Sequence, residues 1–131
     1  MMMPKTKKKI LLVDDSPASL MMGLLALKRE PYELITAADG EEGVEKAVSE
    51  RPDLILMDVV LPRLDGFSAV RRLRSLEAMR AVPILMLTSR GEGDHVGLAS
   101  GASDSITKPF EARELLAKVR TLLGLEPRKP N

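Results

Sequence analysis

Five short aliphatic runs recur along the chain, and they constrain the possible fold more than any other feature. The first, third and fourth runs are continuously apolar, which is typical of strands covered by helices on both faces. Amphipathic stretches separate the runs. Strand followed by helix, repeated five times, predicts an α/β fold: a doubly wound, five-stranded parallel sheet with five helices. The predicted strands are residues 9–13, 33–37, 53–57, 83–88 and 103–107.

The stretches between the runs repeat apolar residues at helical spacing, and several carry helix caps. Ser16 before Pro17 and Asp65 before Gly66 are N-cap signals, and Gly124 suits the position after the last helix. We expect one apolar stripe of each helix to face the sheet. The predicted stripes are Ala18, Met21, Met22 and Leu25; Val44, Ala47 and Val48; Phe67, Val70 and Leu73; and Leu115, Val119, Leu122 and Leu123.

The first predicted helix carries a second apolar stripe beside the first. It consists of Leu20, Leu24 and Leu27. These leucines either widen the core or form a surface for a partner, because exposed apolar patches often mark interfaces. The sequence leaves both possibilities open.

Composition excludes several classes of function. The 131 residues suit one domain, and a net charge of +1 gives no electrostatic case for nucleic acid or a membrane as partner. The absence of cysteine excludes disulfides and thiolate chemistry and fits a reducing compartment, so we expect a cytoplasmic protein. The longest apolar stretch, residues 20–27, is far shorter than the ~20 residues that span a bilayer. The lone His95 has no ligand cluster around it and is assigned a local structural role.

Polar residues stand at the carboxyl ends of four predicted strands. In a parallel α/β sheet these ends meet at one edge, which is where ligands bind. The residues are Asp14 and Asp15 after the first strand, Asp58 after the third, Thr88 and Ser89 at the end of the fourth, and Lys108 at the end of the fifth.

This set of residues favours phosphoryl transfer assisted by a divalent cation. Clustered carboxylates repel one another, but together they offer the oxygen ligands that Mg²⁺ prefers. Lys108 supplies a positive charge for a phosphoryl oxygen, and the Thr88 hydroxyl can donate a hydrogen bond to another. Positioning and charge neutralisation are the main requirements of phosphoryl transfer.

The chain resembles the receiver domain of two-component response regulators over about residues 8–125. The matching stretches are ILLVDDS, PDLILMDVVLPRLDG, VPILMLTS and GASDSITKPF, together with the closing helix, and Thr88 follows Asp58 by 30 residues, as in the family. The resemblance implies a flavodoxin-like receiver fold and a single-domain regulator similar to the chemotaxis receivers. Residues 1–7 would then be a basic tail, and residues 126–131 a tail or the start of a linker.

The resemblance also implies the role of each site residue. Asp58 would accept a phosphoryl group from a sensor histidine kinase or phosphotransfer protein. Asp14, Asp15 and Asp58 would hold Mg²⁺ together with the backbone carbonyl of Val60. The chain would signal through altered protein contacts and would not be an enzyme with an external product, although it would catalyse its own phosphorylation and dephosphorylation.

The remaining roles concern the phosphoryl group and the output. Thr88 would bind the phosphoryl group, and Lys108 would pair with the carboxylate or a phosphoryl oxygen, with a cis peptide to Pro109. Kinases and phosphotransfer proteins would dock on the first helix. Ser105 stands where the family usually has an aromatic residue that changes rotamer on phosphorylation. The stretch from Thr88 to Lys108 is also about two residues shorter than is usual in the family.

Two other functions stay open on the residues alone. The first is a receiver-like interaction module that works without phosphorylation, motivated by Ser105 and the short stretch before the last strand. The second is a Mg²⁺-dependent phosphohydrolase with Asp58 as its nucleophile. Labelling by a small phosphodonor and turnover of a generic phosphate ester distinguish these functions from a phosphoacceptor.

Overall fold

The computed structural model describes residues 7–89 and 100–125. Five parallel strands form one sheet in the order β2-β1-β3-β4-β5, which confirms the predicted topology. The strand order reverses between β1 and β3, so the crevice beyond their carboxyl ends is the expected ligand position. The strands are β1 (Lys9–Val13), β2 (Glu33–Ala37), β3 (Leu54–Asp58), β4 (Ile84–Ser89) and β5 (Asp104–Lys108).

The last three strands begin and end one residue later than predicted. Two of the residues just before these strands bond to the first residue of a neighbouring strand instead of pairing within the sheet. Asp53 accepts a hydrogen bond from the Lys9 backbone N–H at 2.8 Å, and the Ser103 hydroxyl accepts one from the Ile84 N–H at 3.0 Å. The shift places Asp58 and Lys108 within their strands, so both side chains are held by a hydrogen-bonded backbone.

Four helices of the described residues cover the two faces of the sheet. They are α1 (Pro17–Leu27), α2 (Gly40–Glu50), α3 (Gly66–Ser75) and the C-terminal helix (Ala112–Leu122), with a short 3-10 turn at Glu77–Met79. The fourth predicted helix, between the fourth and fifth strands, falls mostly in residues 90–99, as does His95, and these lie outside the described residues. Within the described parts of the chain, no helix combines the length and apolar character that crossing a membrane requires.

The core forms two layers, one on each face of the sheet, because alternate strand residues point to opposite sides. In β1, Leu11 and Val13 pack with α2 and α3, whereas Ile10 and Leu12 pack with α1 and the C-terminal helix. The central strands are therefore buried on both faces, as their continuous apolar runs predict.

The two predicted N-caps, Ser16 and Asp65, are confirmed, and the structure adds a third N-cap at Asp39. The Ser16 hydroxyl accepts a hydrogen bond from the Ser19 N–H, and Asp65 accepts one from the Ser68 N–H. Gly124 follows the C-terminal helix with a left-handed φ of 74°. Asp39 caps α2 by accepting a hydrogen bond from the Glu42 N–H at 2.8 Å.

The prediction that the first apolar stripe of α1 packs against the sheet is wrong. Met21, Met22 and Leu25 are 55%, 56% and 58% exposed, and the second stripe makes the core contact instead. Leu27 is fully buried, and Leu20 and Leu24 pack against the same core layer.

The orientation of α1 follows from its closest approach to the sheet. The buried Gly23 lies against Leu12: a Cβ added there would stand 3.0 Å from Leu12 Cδ2. Both stripes are apolar, so helical spacing alone could not choose between them. Val48 of α2 is also exposed rather than buried, whereas Val44 and Ala47 are in the core as predicted.

Candidate functional site

Parallel pairing brings the predicted site residues to one edge of the sheet. Val13 pairs with Met57 in the register of β1 and β3, so Asp14 and Asp58 follow next to each other on neighbouring strands. Lys108 ends β5 and reaches back across β4 to both acids. The site therefore depends on three strands that lie far apart in the sequence.

Asp14 is the most deeply buried acid of the site, with 2% of its surface exposed. Its Oδ1 accepts a hydrogen bond from the Ser16 backbone N–H at 2.9 Å, and its Oδ2 lies 3.3 Å from Lys108 Nζ. Both carboxylate oxygens thus have partners, as a buried charge requires. The bond to Ser16 also fixes the turn into α1.

Asp58 and Lys108 form the central ion pair. Lys108 Nζ donates to Asp58 Oδ2 at 3.0 Å. Burial raises the pKa of Asp58 above its usual value; the bond and charge of Lys108 oppose this shift, while the charge of Asp14 adds to it. Burial alone would lower the pKa of Lys108, but hydrogen bonding and charge from Asp58 and then Asp14 outweigh it and raise that pKa.

Asp15 completes the acidic cluster from the exposed side. One oxygen from each of Asp14, Asp15 and Asp58 lies within 4.8 Å of the other two. Three carboxylates therefore face the single ammonium group of Lys108. This excess of negative charge is unfavourable on its own and matches the demand of a hard divalent cation for oxygen ligands.

Thr88 lies in β4, beside the strand that ends at Asp58, and Val60 lies two residues after Asp58. The Val60 side chain is 65% exposed, on the loop that follows Asp58. The buried Thr88 donates from its hydroxyl to the Ile106 backbone carbonyl at 3.4 Å, so in this structure the hydroxyl is bonded to β5. The peptide bond between Lys108 and Pro109 is cis, as the resemblance implied.

A shallow apolar groove runs from the acidic site along α1. A cavity of about 380 Å³ is lined by Lys108, Pro109 and Phe110 on one side and by Ser16, Ala18, Ser19 and Met22 on the other. A second cavity of about 190 Å³ continues it past Leu25 to Arg29. The exposed stripe of α1 thus borders the site, a relation that the sequence did not indicate.

Sequence reasoning also missed the backbone contacts that hold the acids. The sequence predicts Ser16 as a helix cap, and the structure adds a bond from its backbone N–H to Asp14. The Asp-x-Ser spacing at the start of α1 was a usable signal, because an aspartate often accepts a bond from the backbone two residues later.

A family comparison agrees with this geometry. The family model described as "Response regulator receiver domain" matches residues 10–120. The chain is 48% identical over 118 residues to the alkaline phosphatase synthesis transcriptional regulatory protein PhoP of Bacillus subtilis strain 168, covering 88% of this chain and 48% of that protein. The chain thus spans about half the length of this curated relative.

Solved structures match the whole described fold. The receiver domain of sensor histidine kinase PA1611 from Pseudomonas aeruginosa PAO1, solved with a magnesium ion in its active site cleft, is 38% identical with a TM-score of 0.85, covering 91% of this chain and 99% of that one. Chemotaxis response regulator CheY4 of Vibrio cholerae is 36% identical with a TM-score of 0.83, covering 89% and 99%. The resemblance therefore extends through both fold and sequence.

Proposed function

The chain belongs to the response regulator receiver domains, phosphoacceptors rather than classical enzymes, and on that premise we propose that Asp58 is its phosphoacceptor. One observation supports this proposal most directly. Asp58 is a largely buried carboxylate that keeps an ammonium partner at 3.0 Å while sharing its pocket with two further acids. A carboxylate with a purely structural role would not need this surplus of negative charge.

The donor set fits Mg²⁺. Asp14, Asp15 and Asp58 offer carboxylate oxygens, and the backbone carbonyl of Val60 is the proposed fourth protein ligand. When bound, Mg²⁺ would neutralise the negative charge of the carboxylates and of the incoming phosphoryl oxygens. Proteins commonly bind this ion through one or two carboxylates with substrate phosphate oxygens and waters, so three acids are sufficient.

The transfer itself asks little covalent chemistry of the protein. An oxygen of Asp58 bonds to phosphorus while the bond from phosphorus to the donor breaks, and the leaving group keeps the electron pair. Lys108, already held between Asp14 and Asp58, is placed to pair with an oxygen of the bound phosphoryl group. Thr88 would have to give up its 3.4 Å bond to the Ile106 carbonyl in order to donate to another phosphoryl oxygen.

The proposed phosphodonor is a histidine kinase or a phosphotransfer protein in the cytoplasm, docking on α1. The exposed side chains of Met22 and Leu25 support this position, because they line the groove that leads to Lys108. The proposed receiver domain spans residues 8–125, and we assign nucleic-acid and membrane contacts no part in its function.

Output through β5 is proposed to be weaker than in receivers with an aromatic residue at position 105. Ser105 is buried, and it is too small to fill the space that a moving Thr88 would leave. A phosphoryl group shifts an equilibrium only by its differential free energy between two states. Without the burial change of an aromatic ring, one contribution to that difference is absent, so α1 and the loop after Asp58 would carry more of the signal.

Intact-mass measurement with acetyl phosphate tests the central proposal. Wild type should gain one phosphoryl group in Mg²⁺ and none in a chelator, and Asp58→Asn should gain none. Asp65→Asn is a matched control, because Asp65 caps α3 and asparagine also serves as an N-cap. Equal uptake by Asp58→Asn would remove Asp58 from the role.

The same assay separates the other functions. A wild type that is never labelled would favour the interaction module. Sustained turnover of a generic phosphate ester would favour the phosphohydrolase.

A further inference from the structure

The loop between β3 and α3, residues 59–65, links the proposed site to the core. It carries the Val60 carbonyl proposed as a metal ligand. Val59 and Leu61 are buried in the core and Leu64 packs against it, whereas the Val60 side chain is 65% exposed. Because the Val60 side chain is not buried, the position of the Val60 backbone depends on how the rest of the loop packs.

Backbone contacts hold the two ends of the loop together. At its start, the Val59 N–H donates to the Leu87 carbonyl of β4 at 3.2 Å, and the Val59 carbonyl accepts from the N–H of Gly66, just past the loop's last residue, at 2.8 Å. A Cβ at Gly66 would overlap the Asp58 carbonyl oxygen and lie 2.9 Å from the Val59 Cα. The two ends of the loop are therefore in close backbone contact, with no room for a side chain between them.

Near its C-terminal end, the loop packs through Leu64 against Gly40, the first residue of α2. A Cβ at Gly40 would overlap the Leu64 carbonyl oxygen and stand 2.7 Å from the Leu64 carbonyl carbon. Gly40 is not among the glycines with positive φ, so its backbone would accept any L-residue. The need for glycine here comes from the loop and not from the helix.

We propose that Gly40 is a positioning residue for the metal and phosphoryl site, an inference that rests on the proposed function. A side chain at position 40 must push the Leu64 carbonyl away from α2. Because the contact between Gly66 and Val59 holds both ends of the loop, the displacement is taken up within residues 60–65, which include Val60. Arg63 further restricts how the loop backbone can move. Its φ of 68° is already left-handed, and its Nε lies 3.7 Å from Asp39 Oδ2.

The test compares Gly40→Ala with Gly23→Ala. Both place a methyl group on a buried helical glycine, but Gly23 faces the flexible end of the Leu12 side chain in the layer away from the loop. Mg²⁺ affinity is measured by calorimetry, and amide hydrogen exchange follows residues 59–65. We expect Gly40→Ala to bind Mg²⁺ about tenfold more weakly, the size of effect seen when support behind a ligand is lost. Gly23→Ala should keep the wild-type affinity.

The outcomes distinguish positioning from a purely structural role. A Gly40→Ala protein with a lower melting temperature but wild-type Mg²⁺ affinity would overturn the inference. If Gly40→Ala does not fold, Leu64→Ala keeps the carbonyl that faces Gly40 but removes the side chain that packs this part of the loop against the core, and it should also weaken Mg²⁺ binding. Unchanged affinity there would overturn the inference too. A wild type that binds no Mg²⁺ would overturn this inference and the proposed Mg²⁺ dependence together. A wild type that binds Mg²⁺ and is phosphorylated, with variants of equal affinity, would overturn this inference alone.

Discussion

The two ends of the sheet each hold a partly buried cation, but they satisfy it in opposite ways. At the carboxyl edge, Lys108 is bonded to Asp14 and Asp58 in a pocket with a third acid beside it. At the opposite edge, the Arg74 side chain of α3 donates to neutral oxygens. Its acceptors are the backbone carbonyls of Gly101 (2.8 Å), Met79 (2.7 Å), Val82 (2.6 Å) and Arg80 (3.3 Å) and the Ser103 hydroxyl (3.4 Å).

The difference shows how local charge distinguishes a structural site from a reactive one. The donors of Arg74 are matched by acceptors already present, so this edge is complete without a ligand. The carboxyl edge keeps more negative charge than its lysine can neutralise, so it favours a bound cation, which would in turn offset the charge of an incoming phosphoryl group. Burial lowers the pKa of Arg74 from its usual high value. Within the part of the chain that the structure describes, its hydrogen bonds go to neutral oxygens.

The largest expected effect comes from removing the cation of the structural edge. Arg74→Met keeps the length of the side chain but leaves several carbonyls without a donor. Because hydrogen bonds to charged groups contribute about 1.5–3 kcal/mol each and several are shared here, we expect a loss of about 3 kcal/mol of unfolding free energy. Urea denaturation measures it, and phosphorylation of the folded variant should keep its wild-type dependence on Mg²⁺.

Arg72→Met is the matched control for Arg74→Met. Arg72 lies two residues earlier on α3 and forms a solvent-exposed ion pair with Glu41 at 2.9 Å. Such pairs contribute about 0–1 kcal/mol, so this variant should unfold close to wild type. Equal losses in the two variants would show that the carbonyl contacts of Arg74 are not special. Phosphorylation of Arg74→Met that no longer depends on Mg²⁺ would show that the two edges are coupled.

An intermediate effect is expected from the pH dependence of the carboxyl edge. Since burial raises the pKa of Asp58, the native state binds its proton more tightly than the unfolded chain between the usual aspartate pKa of 3.8 and the raised pKa. Stability from this group is therefore greatest below that window and falls as pH rises through it. Asp58→Asn removes the titrating carboxyl group and keeps Asp14 as a partner for Lys108.

Denaturation of metal-free protein at several pH values tests this prediction. Asp58→Asn should gain stability over wild type as the pH rises from about 4 towards neutrality, the direction set by linkage. Asp53→Asn is a suitable comparison, because Asp53 bonds the Lys9 N–H at the other end of β3. A constant difference between wild type and Asp58→Asn would contradict the raised pKa.

The smallest effect is expected at Asp15. Without metal, Asp15→Asn relieves repulsion at the exposed side of the cluster and should raise stability by about 0.5 kcal/mol, in the range of exposed charge interactions. With Mg²⁺ at ten times Kd, wild type should gain about 1.4 kcal/mol and Asp15→Asn clearly less. Thermal melts with and without Mg²⁺ measure both. Melts that respond to neither change would show that the three acids do not act as one site.

Much of the fold and of the site was determined by the sequence itself. Aliphatic runs alternating with amphipathic stretches specify parallel strands and covering helices, because side-chain period is a local property of the backbone. Connection rules then bring the carboxyl ends of the strands to one edge. Asp14, Asp15, Asp58 and Lys108 could therefore be predicted as neighbours before any distance was known.

Only the tertiary structure decided which surfaces meet. Both stripes of α1 are apolar, and the approach of Gly23 to Leu12 selects the one that is buried. The acceptors of Arg74 and the contact between Gly40 and Leu64 join residues that no local pattern connects. Periodicity fixes what each element can bury, whereas close packing of surfaces distant in sequence fixes what it does bury.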